Sequence, residues 1–275
     1  MSASETYTIT GELEGASLIE ALAQLTGLSR RRAKGLLDER RVFVNNKRVW
    51  MAKHRVTAGD TLAITAGVAR APLIRLDESA ATIVVNKPAG MLAVGPESVE
   101  EELRCEDARL TVVHRLDRET TGCLIVARTP EYFEKLKELF AARKVTKQYR
   151  ALVWGRLRGA EGRILSPLDG KPAETHWTVV GASRFATELS IEIATGRLHQ
   201  IRRHMAEIGA PVVGDKEYQR GEVRSDRLKA VPRQMLHAEE VAFVDPVSAL
   251  PVKVTAPLPE DYLAVRRTLE IAALP

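Results

Sequence analysis

Cysteine is scarce in this chain: Cys105 and Cys123 are the only two in 275 residues. Two thiols offer no zinc spacing and no disulfide framework, and they fit a reducing cytoplasm. No apolar run approaches the roughly 20 residues that span a bilayer. The opening MSASETYT lacks the basic and apolar leader of a secretory signal. There is no internal repeat, no low-complexity tract, no phosphate-cradling glycine loop and no cluster of metal ligands. These absences predict a cytoplasmic chain that acts off the membrane, without a cofactor or a metal.

What is present is an ordinary globular composition, 45% hydrophobic and 28% charged. The length suits one large domain, or a large one with a small one. Basic residues exceed acidic ones by five, 41 against 36, a modest pointer to an anionic partner. The excess is not evenly spread. Between Arg30 and Arg55 stand Arg30, Arg31, Arg32, Lys34, Arg40, Arg41, Lys47, Arg48, Lys53 and Arg55, with only Asp38 and Glu39 against them. Three arginines crowd what reads as the first turn of a helix, where the helix dipole favours negative charge. That placement is costly for a bare solvated face and sensible for one that docks phosphate. The pattern around it is helical and then extended. Ser17 and Glu20 form a capping box, Leu18, Leu22 and Leu25 follow at helical spacing, and Gly27 ends the helix. Ser29 caps the second helix, RVFVNNKRVW reads as strand, Asn-Asn turn and strand, and TLAIT as a further strand.

A second stretch carries more chemistry. Residues 111–127 read TVVHRLDRETTGCLIVA, with strand-like flanks and a polar loop between them. In the loop, Asp117 stands two residues after Arg115 and directly before Arg118. Always-charged neighbours favour its ionised form, and a loop held between two strands is a common seat for functional residues. Thr129 and Pro130 then open a helix whose apolar side is Phe133, Leu136 and Phe140. Further on, Leu198, Ile201, Met205 and Ile208 predict the buried stripe of another helix ended by Gly209. His199 and His204 lie five residues apart, which turns them away from each other on a helix and sets a metal pair aside. Residues 91–110 yield no role.

Several segments together resemble one family, the RluA-type pseudouridine synthases. HRLDRETTG matches that family's HRLDxxTSG loop, with Thr121 in place of serine and Cys123 in place of the usual leucine after it. VVNKPAG, holding Lys87, resembles the family's first strand and turn. KQYRALVWG matches through Lys147, Tyr149, Ala151, Val153 and Gly155. TGRLHQIRRH continues the match through Arg202, His204, Gly209, Pro211, Gly214, Asp215 and Tyr218. Asp245 stands where the family usually has histidine. The segment from Ser17 to about Thr65 resembles the small RNA-binding domain named after ribosomal protein S-four. A GRLD loop would instead mark the RsuA-type synthases, which lack the GRxHQIR helix.

The resemblance implies an α+β fold: a pseudouridine-synthase-like domain with a mixed, largely antiparallel sheet, and a small S4-like α/β RNA-binding domain in front. The implied organisation is an N-terminal extension at 1–16, the RNA-binding domain at 17–66, a linker at 67–75 and the catalytic domain at 76–275. The implied reaction isomerises specific uridines to pseudouridine. The implied substrate is structured RNA, large-subunit ribosomal RNA first and transfer RNA as the alternative, taken by a monomer. The rival class is an RNA-binding or ribosome-assembly factor without catalysis. Among site residues, Asp117 is implied as nucleophile, Tyr149 as the residue against the target uracil, and Arg197 as the cation partner of Asp117. Arg115 is expected to enter the gap left by a flipped base. His114, Arg118, Thr121, Lys147, His199, Gln200 and Arg202 are expected to contact RNA, as are Arg30, Arg31, Arg32, Lys34 and Lys47 of the front module.

Overall fold

In the computed structural model of the chain, the described residues are 5–38, 41–49, 51–64, 73–219 and 231–273. They fall into two compact units, divided between Pro72 and Leu73. Arg40 and residues 67–72 of the expected linker lie outside the described residues.

The first unit is built as its sequence signals predict. Helix α1 (Leu18–Thr26) opens with the reciprocal Ser17–Glu20 capping box and ends at Gly27, whose φ is 71°. Helix α2 (Arg30–Asp38) follows, with Arg32 N–H donating to Ser29 Oγ at 3.3 Å. Strands β1 (Glu5–Thr8), β2 (Val42–Val44), β3 (Lys47–Arg48) and β4 (Thr61–Ile64) form an antiparallel sheet in the order β1-β4-β2-β3. Asn45 and Asn46, both left-handed, make the β2–β3 turn. Residues 5–16, read from sequence as an extension, instead complete this unit: β1 pairs along β4, and Ile9 and Leu13 join the core of Leu18, Leu22, Leu37 and Leu62. Tyr7 gave little hint of this, because β1 is a short, exposed edge strand.

The second unit is an eleven-stranded sheet. Its strands are β5 (Ile74–Glu78), β6 (Thr82–Lys87), β7 (Thr111–Val112), β8 (Thr121–Ala127), β9 (Thr146–Trp154), β10 (Glu161–Ile164), β11 (Thr175–Ala182), β12 (Ala186–Ile193), β13 (Leu236–Val244), β14 (Pro251–Thr255) and β15 (Ala272–Ala273). The main path runs β10-β11-β12-β9-β13-β8-β6-β5. Among the described strands only β13 and β8 pair in parallel, so the fold is α+β with a largely antiparallel sheet, as expected. Because β5 starts at Ile74, the residues assigned to the end of the linker belong to this sheet.

Among the described residues its helices are α3 (Val99–Arg104), α4 (Pro130–Ala141), α5 (Gln200–Glu207) and α6 (Glu260–Thr268). The continuous apolar run of β8 has a plain cause. Leu124 and Val126 enter one core with Ile83 and Val85 of β6, while Cys123, Ile125 and Ala127 enter another beside Leu136 of α4. A strand covered on both faces needs no polar alternation. Residues 91–110 supply α3, whose buried Glu100 accepts from Val112 N–H at 3.1 Å. At the start of β8, Gly122 has φ 111°, and a Cβ there would sit 2.1 Å from Ala238 O of β13. Only glycine lets the two strands approach where the loop after β7 meets the sheet.

Candidate active site

Asp117 lies on the loop between β7 and β8, and that loop is fastened from several sides. Thr120 N–H donates to Asp117 O at 3.0 Å, a local turn. Arg118 O accepts from Gly90 N–H at 2.9 Å and from Lys87 Nζ at 2.9 Å. Lys87 also donates to Pro88 O and Met91 O, so three carbonyls take its three N–H bonds. Burial, opposed first by Glu119, pulls this ammonium down to about 7. Arg233 donates to Glu119 O at 3.1 Å and is itself held by both oxygens of Asp261. Thr121 Oγ1 lies 2.8 Å from His237 Nδ1, and His237 Nε2 faces Ala256 O at 3.2 Å. The carbonyl must receive a proton, so Nδ1 accepts from Thr121.

The cation that holds Asp117 is Arg202, not Arg197. Arg202 Nη1 lies 3.2 Å from Asp117 Oδ2. The same guanidinium forks onto Asp215, at 2.6 Å through Nε and 3.0 Å through Nη2, and meets Glu217 Oε2 at 3.0 Å. It also stacks over the Tyr218 ring, 4.9 Å from its centroid. Arg202 is 6% exposed and Asp215 2%. Burial pushes Asp215 up, but Arg202 and the Glu217 and Tyr218 N–H groups outweigh it and hold the carboxyl below its ordinary value. Arg197, on the loop before α5, donates through Nε to Pro172 O at 3.1 Å and lines the cleft without an ion pair to Asp117.

The helix phase explains the exchange. Helix α5 begins at Gln200, after a left-handed His199 with φ 52°. Leu198 is therefore outside the helix and 50% exposed, and Ile208 at its end is 40% exposed. The buried side is Gln200, Ile201, Arg202, His204 and Met205, which includes three polar residues. Each is satisfied internally. Gln200 Oε1 accepts from Thr195 Oγ1 and Arg197 N–H, and its amide donates to Glu174 O and Thr175 Oγ1. His204 spans Thr175 Oγ1 and Ser166 O. Gln200, Arg202 and Thr121, expected to contact RNA, are thus occupied within the protein.

The cleft above Asp117 holds about 170 Å³ and is lined by Arg115, Asp117, Tyr149, Arg197, His199 and Arg202 among others. Tyr149 comes from β9, between Ile191 of β12 and Ala238 of β13, so its Cα is fixed on both sides. Burial, and then the Asp117 charge, hold its phenol well above the ordinary value, so it keeps its proton at neutral pH. His199 Nε2 stands 3.7 Å from Asp117 Oδ1, beyond hydrogen-bond reach. One carboxylate oxygen is anchored on Arg202 and the other is left toward the cleft. Among the described residues no second carboxylate lines this cleft, so the arrangement suits a carboxylate that attacks or stabilises charge, not a pair that activates water.

The remaining expected residues divide in two. His114 is structural: its Nε2 accepts from Ile125 N–H at 3.1 Å, and its ring stacks on Phe140 with centroids 5.1 Å apart. Burial, and then the Lys147 charge, pull it down to about 3. Arg115 and Arg118 are exposed, and Lys147 is half-buried over the Phe140 ring. In the first unit, Arg30, Arg31, Arg32, Lys34 and Lys47 are exposed, with Arg30 paired to Glu20 at 3.1 Å. Asp215, Glu217 and Arg233 are the site residues that sequence reasoning left without a role, and Lys87, which the sequence allows either to place RNA or to support a turn, is held on three backbone carbonyls. Only the GDKEY turn after Gly214 carried a signal for the first two.

The profile of the family described as RNA pseudouridylate synthase matches residues 81–207. Ribosomal large subunit pseudouridine synthase D of Yersinia pestis is 32% identical, over 96% of this chain and 94% of its own length. The protein of that name from Nitrosomonas europaea is 33% identical, over 95% and 87%. Human RNA Pseudouridylate Synthase Domain Containing 4 superposes with a TM-score of 0.62 at 21% identity, over 72% of this chain and 93% of that one. Human RNA Pseudouridylate Synthase Domain Containing 1 gives 0.59 at 28%, over 70% and 86%. With sheet, cleft and sequence in agreement, the chain belongs to the RNA pseudouridine synthases, of the RluA type that its HRLD and GRLHQIR segments resemble.

Two outcomes follow from this geometry. Arg202→Gln leaves the buried Asp215 carboxylate without its cation and is expected to cost about 3–5 kcal/mol. Arg197→Ala should cost less than about 1 kcal/mol. Urea unfolding of both variants checks the ranking, and an equal loss would contradict the assignment. For His114, the folded value of about 3 lies below the ordinary 6.5, so the unfolded chain binds more protons between them. Its contribution to stability is full above pH 6.5 and is lost as pH falls toward 3. In His114→Gln, whose amide oxygen can still accept from Ile125, urea midpoints at about pH 4 and about pH 7 should draw closer together. An unchanged gap would contradict the buried neutral state.

Proposed function

We propose that this enzyme converts uridine to pseudouridine in large-subunit ribosomal RNA, with Asp117 as nucleophile. The observation that carries the reading is the Asp117 carboxylate, with Oδ2 3.2 Å from the buried Arg202 and the cleft floored by Tyr149. A pure binding protein has no use for a buried cation that aims one carboxylate at an open slot. The choice of ribosomal RNA is supported by its relatives, which are named as ribosomal large subunit pseudouridine synthases.

In this reaction the bond from uracil N1 to ribose C1′ breaks, the ring turns, and a bond from C5 to C1′ replaces it. The proton on C5 moves to a nitrogen of the ring, so nothing is consumed. A paired base must first leave its helix, at a cost of a few kcal/mol. Arg115, exposed at the cleft mouth, fills the vacated stack with its planar guanidinium. Tyr149 packs its ring against the uracil; a phenol that keeps its proton supplies a surface and a hydrogen bond, not a phenolate base. The first unit acts as an S4-like RNA-binding domain through the exposed cations of α2 and the β2–β3 turn. Arg118 and His199 add contacts to RNA at the cleft. The enzyme works in the cytoplasm as a monomer, and among the described residues no helix is long and apolar enough to cross a membrane.

The test is to map pseudouridine in total RNA from cells that lack the chain, rescued with wild type or with Asp117→Asn. Specific ribosomal sites should vanish and return with the wild type alone. Restoration by Asp117→Asn would sink the nucleophile, and loss confined to transfer RNA would move the substrate there.

A further inference from the structure

A second cavity adjoins the Asp117 cleft and is nearly three times larger, about 480 Å³. The two share Arg115, Tyr149 and Arg197 in their walls. The added wall comes from the end of α4 and the start of β9 and brings Arg143 and Lys147. Among the described residues no acidic side chain lines this cavity. His114, also in its wall, is neutral and adds no charge. Four cations therefore face one hollow with nothing to balance them.

Two features set this apart from a solvated basic face. The first is Lys147. It is half-buried, its Nζ stands 5.6 Å from the Phe140 ring centroid, and among the described residues no carboxylate pairs with it. Burial alone lowers its pKa, with no carboxylate to oppose it. An ammonium partly withdrawn from water and without an anion is less favourable than a solvated one, and an anion entering the cavity relieves that. The second is Arg143. It occupies the position after α4 where the chain turns left-handed, with φ 57°. Lys144 N–H bonds to Leu139 O and Arg143 N–H to Phe140 O, the paired pattern that normally selects glycine. An arginine there is strained, and strain of that kind collects at functional positions. The carbonyl end of α4 does attract cations, but it carries only about half a charge.

We propose that this cavity binds a backbone phosphodiester adjoining the flipped uridine, through Lys147 and Arg143. The inference rests on the reading of RNA uridine as substrate. A phosphate here fixes the strand beside the Asp117 cleft, so the ribose reaches Asp117 in one register. The subsite adds affinity and position without touching the reacting bond.

The experiment measures pseudouridine formation by the full chain on a large-subunit ribosomal RNA transcript, at several KCl concentrations. The variants are Lys147→Met, which keeps the stem on Phe140, Lys147→Arg, which keeps the charge, and Arg143→Asn, which tolerates the left-handed backbone. Lys147→Met and Arg143→Asn are each expected to raise KM about ten-fold. Each should also flatten the salt dependence of log kcat/KM by about 0.7, the loss of one phosphate contact on a single strand. Lys147→Arg should restore both. Unchanged KM and salt slope in Lys147→Met and Arg143→Asn, with an active wild type, overturns the subsite and leaves the reaction standing. A loss confined to kcat also overturns it. A wild type that forms no pseudouridine overturns the reaction, and the subsite with it.

Discussion

One guanidinium organises the catalytic unit. Arg202 is buried on α5 and meets Asp117, Asp215 and Glu217 at 3.2, 2.6 and 3.0 Å. A charge that far from water survives only if it is compensated in good geometry. That requirement fixes the phase of α5, the turn that carries Asp215, and the loop that carries Asp117. The walls of the cleft and of the cavity beside it carry Arg115, Arg197 and Lys147, a basic surround for a site whose one lining carboxylate among the described residues is Asp117.

The loop of Asp117 is held mostly through its backbone. Lys87, Gly90 and Arg233 all bind carbonyls of residues 118 and 119, and the side chains of Arg115 and Arg118 stay exposed. Side-chain identity can therefore serve recognition while the main chain serves geometry. Lys147 and Arg143 extend the same division, with the charge set on a strand start and a helix cap that packing already fixes.

Much of this was legible in the residues. The capping box at Ser17, the Asn45–Asn46 turn, Thr129 with Pro130, and the strand after the Asp117 loop are local signals, and each appears where its chemistry predicts. What failed was non-local. Arg202 and Arg197 look alike in sequence, and a stripe drawn through Leu198, Ile201, Met205 and Ile208 puts polar residues outside. The chain instead starts α5 two residues late, because Gln200 ties Thr195 and Arg197 into a preceding turn. Apolar periodicity cannot reveal a buried arginine whose partners lie on other segments. His114 misled for the opposite reason: a polar residue in a functional loop is read as a contact, yet its neighbour in space is the Ile125 amide. β1 was missed because a lone edge strand has no apolar face to announce it.

The most direct measurement is the rate of pseudouridine formation at saturating ribosomal RNA for Arg202→Lys and Arg197→Lys, beside the wild type. A lysine at 202 keeps the charge but cannot fork onto Asp215 while holding Asp117. The account predicts a fall of about 100-fold in kcat for Arg202→Lys, from a carboxylate displaced by a fraction of an ångström to an ångström. Arg197→Lys should stay within a few-fold of the wild type. The reverse order, with position 197 controlling the rate and position 202 indifferent, would contradict it.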